Sequence, residues 1–334
     1  MKEQKKKAGK VTRREFLYLT GAGVAGMTLA GMPKFSYAQK PKYGGRVRIA
    51  CRYGASGLDV HRNMDYADYK WYSLMSEGLT EQGPLPQVYQ HPCLAKSWEV
   101  SQDGRVFVFP LKEGVKFHDG KNFTSEDVKY SFDRVMDPET RSPRAFALRW
   151  VDSVNMVDKY TIKVTLKEPY APFLSNLTPE CVPIIPKDAR PTGMKPAPGT
   201  GPFVFKEFVP NETIELTRFD KYHQIDEKTG ARLPHADAVF IRKIVDETVR
   251  LTALRAGDMD FIETPPLNLI ANELKKPTPG ITINYDLPGN NMVFFNVTKP
   301  PFDNKKVRHA IAYATDKQEL LKGGLWGLGQ TLNN

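Results

Sequence analysis

The chain has 334 residues, of which 48 are Lys or Arg, 38 are Asp or Glu, and 40% are hydrophobic. Eight of the basic and two of the acidic residues fall in residues 1–38, so the remainder has 40 basic and 36 acidic side chains, a net charge of +4. Those charges alternate in sign and form no concentrated basic stripe, which excludes a nucleic-acid partner. A chain of this length favours two domains.

Residues 1–38 have the organisation of an export signal. Lysines precede the pair Arg13-Arg14, and an apolar, glycine-rich run, Leu17–Ala30, follows. That run is shorter than the roughly 20 residues of a membrane-spanning helix, and Ser36-Tyr37-Ala38 predicts cleavage after Ala38. The paired arginines resemble a twin-arginine signal, with an ordinary secretory signal as the alternative. No cysteine lies directly after the cleavage site, as a lipoprotein anchor would require, so we expect an exported, periplasmic protein that is not integral to the membrane.

The first half of the chain predicts short strands, hairpins and two helices. Arg46–Ala50 indicates a strand followed by a glycine-containing loop, the kind of loop that commonly faces a ligand. Asp103-Gly104 supplies the positive φ of a tight hairpin, and the acids after Thr124 indicate a helix start. The other elements predicted here are a helix over Asp68–Leu79 and strands over Ser97–Val100, Arg105–Leu111, Val154–Val157 and Tyr160–Leu166.

The second half predicts a further hairpin and a βαβ unit. The hairpin is formed by Phe203–Phe208 and Thr213–Arg218. Parallel strands of a βαβ unit share one sheet, and we predict such a unit from the strand Ala238–Val245, the helix Glu247–Ala256 and the strand Met259–Glu263. Apolar residues at helical spacing predict a last helix over Lys305–Lys322, with a stripe formed by Val307, Ile311, Ala314 and Leu321.

Several motifs occur in a fixed order along the chain. They are Leu94–Glu99, Asp103-Gly104, Gly114–Gly120, Ser125–Ser131, Gly199–Phe203, Arg255–Asp260 and Val307–Ile311, with Leu58-Asp59 before them. Together they resemble the signature of the bacterial family 5 extracellular solute-binding proteins, the peptide-, dipeptide- and nickel-binding subunits of ABC importers. The resemblance implies a binding protein that captures a peptide or similar small solute and delivers it to a membrane permease. It implies no enzyme activity and no cofactor.

The resemblance also implies a fold and its division. The fold expected is α/β, the two-lobe periplasmic binding protein fold of class II, cluster C type, with an inserted subdomain. The family's second lobe is longer than the residues after Asn296 can form, so we expect it to be largely missing and the last helix to expose its apolar stripe. The segments are 1–38 (signal peptide), 39–80 (lobe 1, first part), 81–185 (inserted α/β subdomain), 186–295 (lobe 1, second part) and 296–334 (start of lobe 2).

Two short segments are the candidate ligand-binding residues. Within the resemblance, Met64-Asp65-Tyr66 lies where peptide-binding members run a loop along the ligand, and Asn290-Asn291 lies near the hinge. Asp65 could pair with a ligand ammonium group, Tyr66 could cover its side chain, and Asn290 and Asn291 could hydrogen-bond its backbone. The alternative is that all five are surface loop residues.

Other functions lack the motifs that they need. The sequence has no His-Glu-x-x-His, Gly-x-Ser-x-Gly, phosphate-binding loop or Cys-x-x-Cys, and its histidines lack metal-ligand spacing. We therefore expect no catalytic or metal-binding residues, and interpret His118-Asp119-Gly120 as a turn. An extracytoplasmic hydrolase and a truncated product that binds nothing remain as alternatives, as does nickel or haem as the ligand. Cys51, Cys93 and Cys181 could include one disulfide or be free thiols. His223 stands where the family usually has tryptophan.

Overall fold

The computed structural model describes residues 41–63, 66–83, 89–192, 194–283 and 293–331. The chain divides after Pro41, and every element below belongs to the unit Lys42–Asn334. The predicted signal peptide lies outside the described residues. In the ranges that are described, no helix is long and apolar enough to cross a membrane.

The elements are short strands and helices. The strands, in chain order, are β1 (Arg46–Cys51), β2 (Thr80–Gln82), β3 (Gln90–Pro92), β4 (Glu99–Val100), β5 (Val106–Pro110), β6 (Val151–Asp158), β7 (Thr161–Leu166), β8 (Phe203–Val209), β9 (Thr213–Arg218), β10 (Ala238–Lys243) and β11 (Phe261–Ile262). The helices are α1 (Tyr66–Met75), α2 (Ser125–Met136), α3 (Glu247–Ala256), α4 (Leu267–Lys275), α5 (Lys305–Ala314) and α6 (Lys317–Leu325).

A five-stranded mixed sheet has the strand order β11-β1-β10-β9-β8. β1 runs parallel to both neighbours, pairing Arg46 with Ala238 on β10 and Ile49 with Phe261 on β11. The predicted βαβ unit of β10, α3 and β11 is therefore confirmed, and β1 lies between its two strands. β9 and β8 extend the sheet as the predicted antiparallel hairpin.

A second sheet is antiparallel throughout, in the order β4-β5-β7-β6. Both predicted hairpins are present, and Gly104 has the positive φ, 68°, that their first turn requires. Buried and exposed residues alternate on β7, as the sequence predicts, and one face packs on α2. At the start of α2 the Thr124 N–H donates to the Asp127 carboxylate over 2.8 Å, and Asp127 also accepts from the Lys187 N–H over 2.9 Å.

The two larger sheets each have a hydrophobic core, and β2 and β3 form a separate two-stranded sheet. The antiparallel sheet and α2 share a cluster that runs in sequence from Leu79 to Ile184. The five-stranded sheet and α1 share another, with members between Cys51 and Met75 and between Ile185 and Ile241. The domain boundaries given above, with 81–185 as an inserted subdomain, remain predictions.

The glycine motif at 199–201 packs against the carboxyl end of α1. A Cβ atom on Gly199 would lie 1.8 Å from the Met75 carbonyl oxygen, so a side chain there is excluded. The Gly201 N–H donates to that same oxygen over 2.8 Å, which helps to end α1 at Met75, four residues before the predicted end. This contact is tertiary, so the helical pattern of residues 68–79 could not show it.

His118 binds the same glycine motif from the other side. The Gly199 N–H donates to His118 Nδ1 over 3.3 Å, so Nε2 carries the ring proton and donates to the Gly201 carbonyl over 2.9 Å. Gly120 has φ 88°, which confirms the turn predicted at 118–120. The histidine is thus a structural connector.

The prediction of the last helix is wrong in one respect. Instead of one helix over 305–322 the chain forms α5 and α6, because the Asp316 carboxylate accepts from the N–H groups of Gln318 and Glu319 and starts a second helix. No residue of either helix is buried, and Tyr313 is 90% exposed. All three cysteines are free thiols.

Candidate functional site

The loops after the three parallel strands lie together at one edge of the five-stranded sheet. We call this the carboxyl edge: residues 52–57 after β1, 244–246 after β10 and 263–266 after β11. In open α/β sheets, ligands bind outside the carboxyl ends of parallel strands. This edge is therefore the candidate binding surface, in agreement with the loop predicted to face a ligand after β1.

Buried Asp68 holds the loop after β1. Its carboxylate accepts from the Ser56 N–H and the Ser56 hydroxyl, each over 3.0 Å. The Asn63 amide donates to the Ser56 hydroxyl oxygen over 3.1 Å. Because Asp68 belongs to α1, these bonds fix the first turn of α1 against the loop.

Buried Arg250 holds the other two loops. Its guanidinium donates to the carbonyls of Ile244 (2.6 Å) and Val245 (2.8 Å) after β10, and to those of Glu263 (3.0 Å) and Thr264 (2.7 Å) after β11. Thr264 has φ 44°, which is uncommon for a β-branched residue. Arg250 forms no ion pair with an acid in the part of the chain that the structure describes. Neutral carbonyls therefore satisfy this buried cation.

An ion pair crosses the edge beside β1. Lys70 of α1 donates to the Glu263 carboxylate, and the two side chains are 16% and 12% exposed. Next to it, burial raises the pKa of the Cys51 thiol, whose Sγ donates to the Tyr53 carbonyl over 3.1 Å. A buried thiol with a raised pKa is a poor nucleophile. Cys51 is therefore not a candidate for covalent chemistry at this edge.

The exposed side of the edge combines aromatic, cationic and apolar groups. Tyr53 is 54% exposed, with the Arg52 guanidinium 5.2 Å from its ring centre. Val245 and Val249 are 63% and 53% exposed. Among the described residues, no group of three or more His, Cys, Asp or Glu could hold a metal ion.

The five predicted binding residues are not tested by the structure. Met64, Asp65, Asn290 and Asn291 lie outside the described residues. Tyr66 is the first residue of α1, and the contacts of its side chain are not described. Their role in binding therefore stays a prediction.

Sequence reasoning missed the residues that fix this edge. Arg250 and Lys70 occupy ordinary helical positions, and nothing in a single sequence distinguishes a buried arginine from an exposed one. The only available signal was the position of Arg250 in the first half of the helix of a predicted βαβ unit, which places it near the carboxyl ends of the strands.

Solved structures share this fold. The periplasmic binding protein DppA of Helicobacter pylori, in complex with the peptide STSA, matches with a TM-score of 0.73 and 27% identity over 88% of this chain and 60% of that one. The oligopeptide-binding protein AppA of Bacillus subtilis, solved with a nonapeptide, matches with a TM-score of 0.72 and 24% identity over 88% of this chain and 58% of that one. The fold is thus a mixed α/β periplasmic binding protein fold of cluster C type, matched over part of its length.

Sequence relatives identify the family. The profile of the bacterial extracellular solute-binding proteins, family 5 Middle, matches residues 90–334, and the chain belongs to that family, which comprises binding proteins and not enzymes. The glutathione-binding protein GsiB of Pectobacterium atrosepticum is 33% identical over 69% of this chain and 44% of its own length. The heme-binding protein A of Haemophilus influenzae is 32% identical over 78% of this chain and 53% of its own length. The chain therefore spans about half the length of these curated relatives.

Proposed function

We propose that this chain supplies the first lobe of an extracytoplasmic solute-binding protein that captures a peptide or peptide-like solute and delivers it to the permease of an ABC importer. The carboxyl edge carries the proposal, because its three loops are fixed from beneath while Tyr53 and Val245 remain exposed above. A fixed surface loses little conformational entropy when a ligand binds. Relatives named for glutathione and a structure with a bound tetrapeptide support a peptide-like ligand.

In this proposal Met64, Asp65 and Tyr66 face the ligand, since in sequence they follow Asn63, which hydrogen-bonds Ser56 of the anchored loop. Asp65 pairs with the ligand's ammonium group and Tyr66 covers its side chain. Asn290 and Asn291 hydrogen-bond the peptide backbone. Residues 39–80 and 186–295 form this lobe, with 81–185 inserted, and closure over the solute creates the surface that the permease recognises.

Export belongs to the same proposal. Residues 1–38 direct the chain to the periplasm by the twin-arginine route, which accepts folded proteins. Replacing Arg13 and Arg14 with lysine should then stop export while leaving synthesis unchanged, as measured by fractionation of cells. Continued export would show that an ordinary secretory signal is used.

The binding test is a melting-temperature screen of the protein purified from the periplasm. Di- to pentapeptides should raise the melting temperature, because a ligand at 100 times its Kd adds about 2.7 kcal/mol to the free energy of unfolding. Glutathione, haem, a nickel–histidine complex and sugars are the comparison ligands. A shift with sugars alone contradicts a peptide-like ligand, and no shift with any ligand supports a fragment that binds nothing.

The variant Asp65→Asn tests the proposed contact with the ligand ammonium. Peptide affinity should fall about tenfold, since an ammonium–carboxylate contact is charge-assisted. The melting temperature without ligand should change little. Asp152→Asn, an exposed change on β6, is the matched control. Equal affinities in the two variants would remove Asp65 from the site.

A further inference from the structure

Two neighbouring cavities open away from the carboxyl edge, around the connection from β9 to β10. The first is about 240 Å³ and adjoins the amino end of β1, near the Asp237 N–H that donates to the Gly45 carbonyl over 2.8 Å. The second is about 350 Å³, and the two share Arg232. We call the second cavity the cationic groove; it is lined by Gly114, Lys116, Lys221, Tyr222, His223, Ile225 and Arg232.

The two cavities differ in charge. Asp220 lines the first cavity and forms an ion pair with Arg218 over 2.9 Å, and Arg218 forms a second with Asp237 over 2.7 Å. No Asp or Glu is among the described residues that line the cationic groove. In the first cavity Arg218 is thus paired with two acids, whereas the second cavity is lined by cations and by no described acid.

Two of the three permanent cations of the groove, Lys116 and Arg232, donate to neutral groups. Lys116 Nζ donates to the Asn122 side-chain oxygen over 2.7 Å, and Arg232 donates to the Asp220 carbonyl. Lys116, Lys221 and Arg232 form no ion pair with any acid that the structure describes. Their charge is therefore available to an anion.

A buried carboxylate fixes the floor of the groove. Glu77 accepts from the Tyr222 hydroxyl (3.1 Å), His223 Nε2 (2.9 Å) and the Gln224 amide (3.1 Å). Burial raises the pKa of Glu77, but hydrogen bonds from His223 and the other donors outweigh it and hold the pKa below its ordinary 4.5. Glu77 is thus ionised and only accepts, so His223 Nε2 carries a proton and its ring orientation is fixed.

We infer that the cationic groove binds a small anion through Lys116, Lys221 and Arg232, at a site separate from the carboxyl edge. Hydrogen bonds between a cation and an anionic oxygen are about twice as strong as neutral ones. Glu77 contributes one negative charge beneath, which the three cations outnumber. A cavity of about 350 Å³ lies at the small end of ligand sites, which suits a compact carboxylate or phosphate ligand.

The site does not require the peptide-binding proposal. The groove is formed by the turn at 114–116 and by residues 221–232, which contribute nothing to the loops after β1, β10 and β11. Anion binding and peptide binding should therefore be measurable separately in the same protein.

Calorimetric titration of the protein with inorganic phosphate at low salt tests the inference. Lys116→Met and Lys221→Met each keep most of the aliphatic stem and remove one charge, so each should weaken phosphate binding about tenfold. Lys129→Met makes the same change on α2, where Lys129 pairs with Asp133, and should leave the affinity unchanged. Citrate, titrated in parallel, identifies the source of the anionic oxygens as carboxylate if it binds more tightly than phosphate, or as phosphate if it does not.

Absence of binding to both anions overturns the inference. It is also overturned if Lys116→Met and Lys221→Met retain the parent affinity for phosphate. The same holds if Lys129→Met loses as much phosphate affinity as those two variants, since an equal loss would show that phosphate responds to the net charge of the protein alone. Melting temperatures of the three variants confirm that each is folded. The peptide-dependent melting shift should persist in Lys221→Met, so loss of one activity is distinguishable from loss of the other.

Discussion

Arg250 at the carboxyl edge and Glu77 beneath the cationic groove are both buried charges, yet they are satisfied in different ways. Arg250 donates to backbone carbonyls, so its position fixes the path of two loops. Glu77 accepts mainly from side chains, so it fixes the orientation of Tyr222 and His223. The comparison shows that the cation organises backbone, whereas the anion organises the side chains that line a cavity.

The largest expected effect is that of Arg250→Met. The substitution leaves the carbonyls of four residues without their donor, so the free energy of unfolding should fall by about 4 kcal/mol, as measured by urea denaturation. Arg255→Met is the control on the same helix: Arg255 is 45% exposed and pairs with Glu273, and its loss should cost about 0.5 kcal/mol. Similar losses in both variants would show that Arg250 does not hold the loops.

His61 extends the comparison between Arg250 and Glu77, because it is a buried titratable group that is neutral at pH 7. Burial lowers its pKa from 6.5 to about 4, nearby Arg134 and Arg144 add to this, and the Pro183 carbonyl and Asp59 oppose it. Nε2 lies 2.8 Å from that carbonyl. A depressed histidine pKa gives stability that is complete above pH 6.5 and is lost as the pH falls to 4.

The measurement is the free energy of unfolding between pH 7 and pH 4. His61 should account for a fall of about 3 kcal/mol across this window. In His61→Gln the amide can still donate to the Pro183 carbonyl but does not titrate, so its curve should be flatter by that amount. Parallel curves for the two proteins would mean that His61 is not held neutral.

The smallest expected effect is that of Glu77→Gln, about 2 kcal/mol at pH 7, because an amide offers one acceptor oxygen where several donors converge. The lowered pKa of Glu77 gives stability that is present above pH 4.5 and is lost below it, so the difference from the parent protein should shrink in acid. Glu81→Gln is the matched control, since burial raises the pKa of Glu81, and it should cost nothing at pH 7. Equal costs would contradict the donor network.

Local signals predicted most of the elements. The Asp103-Gly104 turn and the helix α3, bounded by Asp246 and Gly257, form where the sequence places them, because each depends on a few adjacent residues. The helix over 305–322 was predicted as continuous because apolar spacing persists across Asp316, which in fact caps a second helix. The periodicity of apolar residues indicates which side of a helix is apolar, and it is insensitive to a single capping residue.

The sites were less predictable because their residues are distant in sequence. The sequence predicted a ligand-facing loop after the first strand, and that loop lies at the carboxyl edge. Glu77 and His223, however, are 146 residues apart, and neither belongs to a local motif. The sequence marks His223 only as a departure from the family's usual tryptophan, whereas in the structure it is the partner of the buried Glu77 carboxylate.

The central position of β1 affects the order of folding during synthesis. Gly45, just before β1, hydrogen-bonds Asp237, 192 residues further along the chain. At 5–20 residues per second a ribosome needs on the order of 10–40 s to make that intervening length. The antiparallel sheet, complete by Leu166, can form during this interval, whereas β1 must wait for β10 before it has a strand to pair with. Newly made chains should therefore carry an unpaired first strand for most of their synthesis, a period in which binding by a chaperone would prevent mispairing.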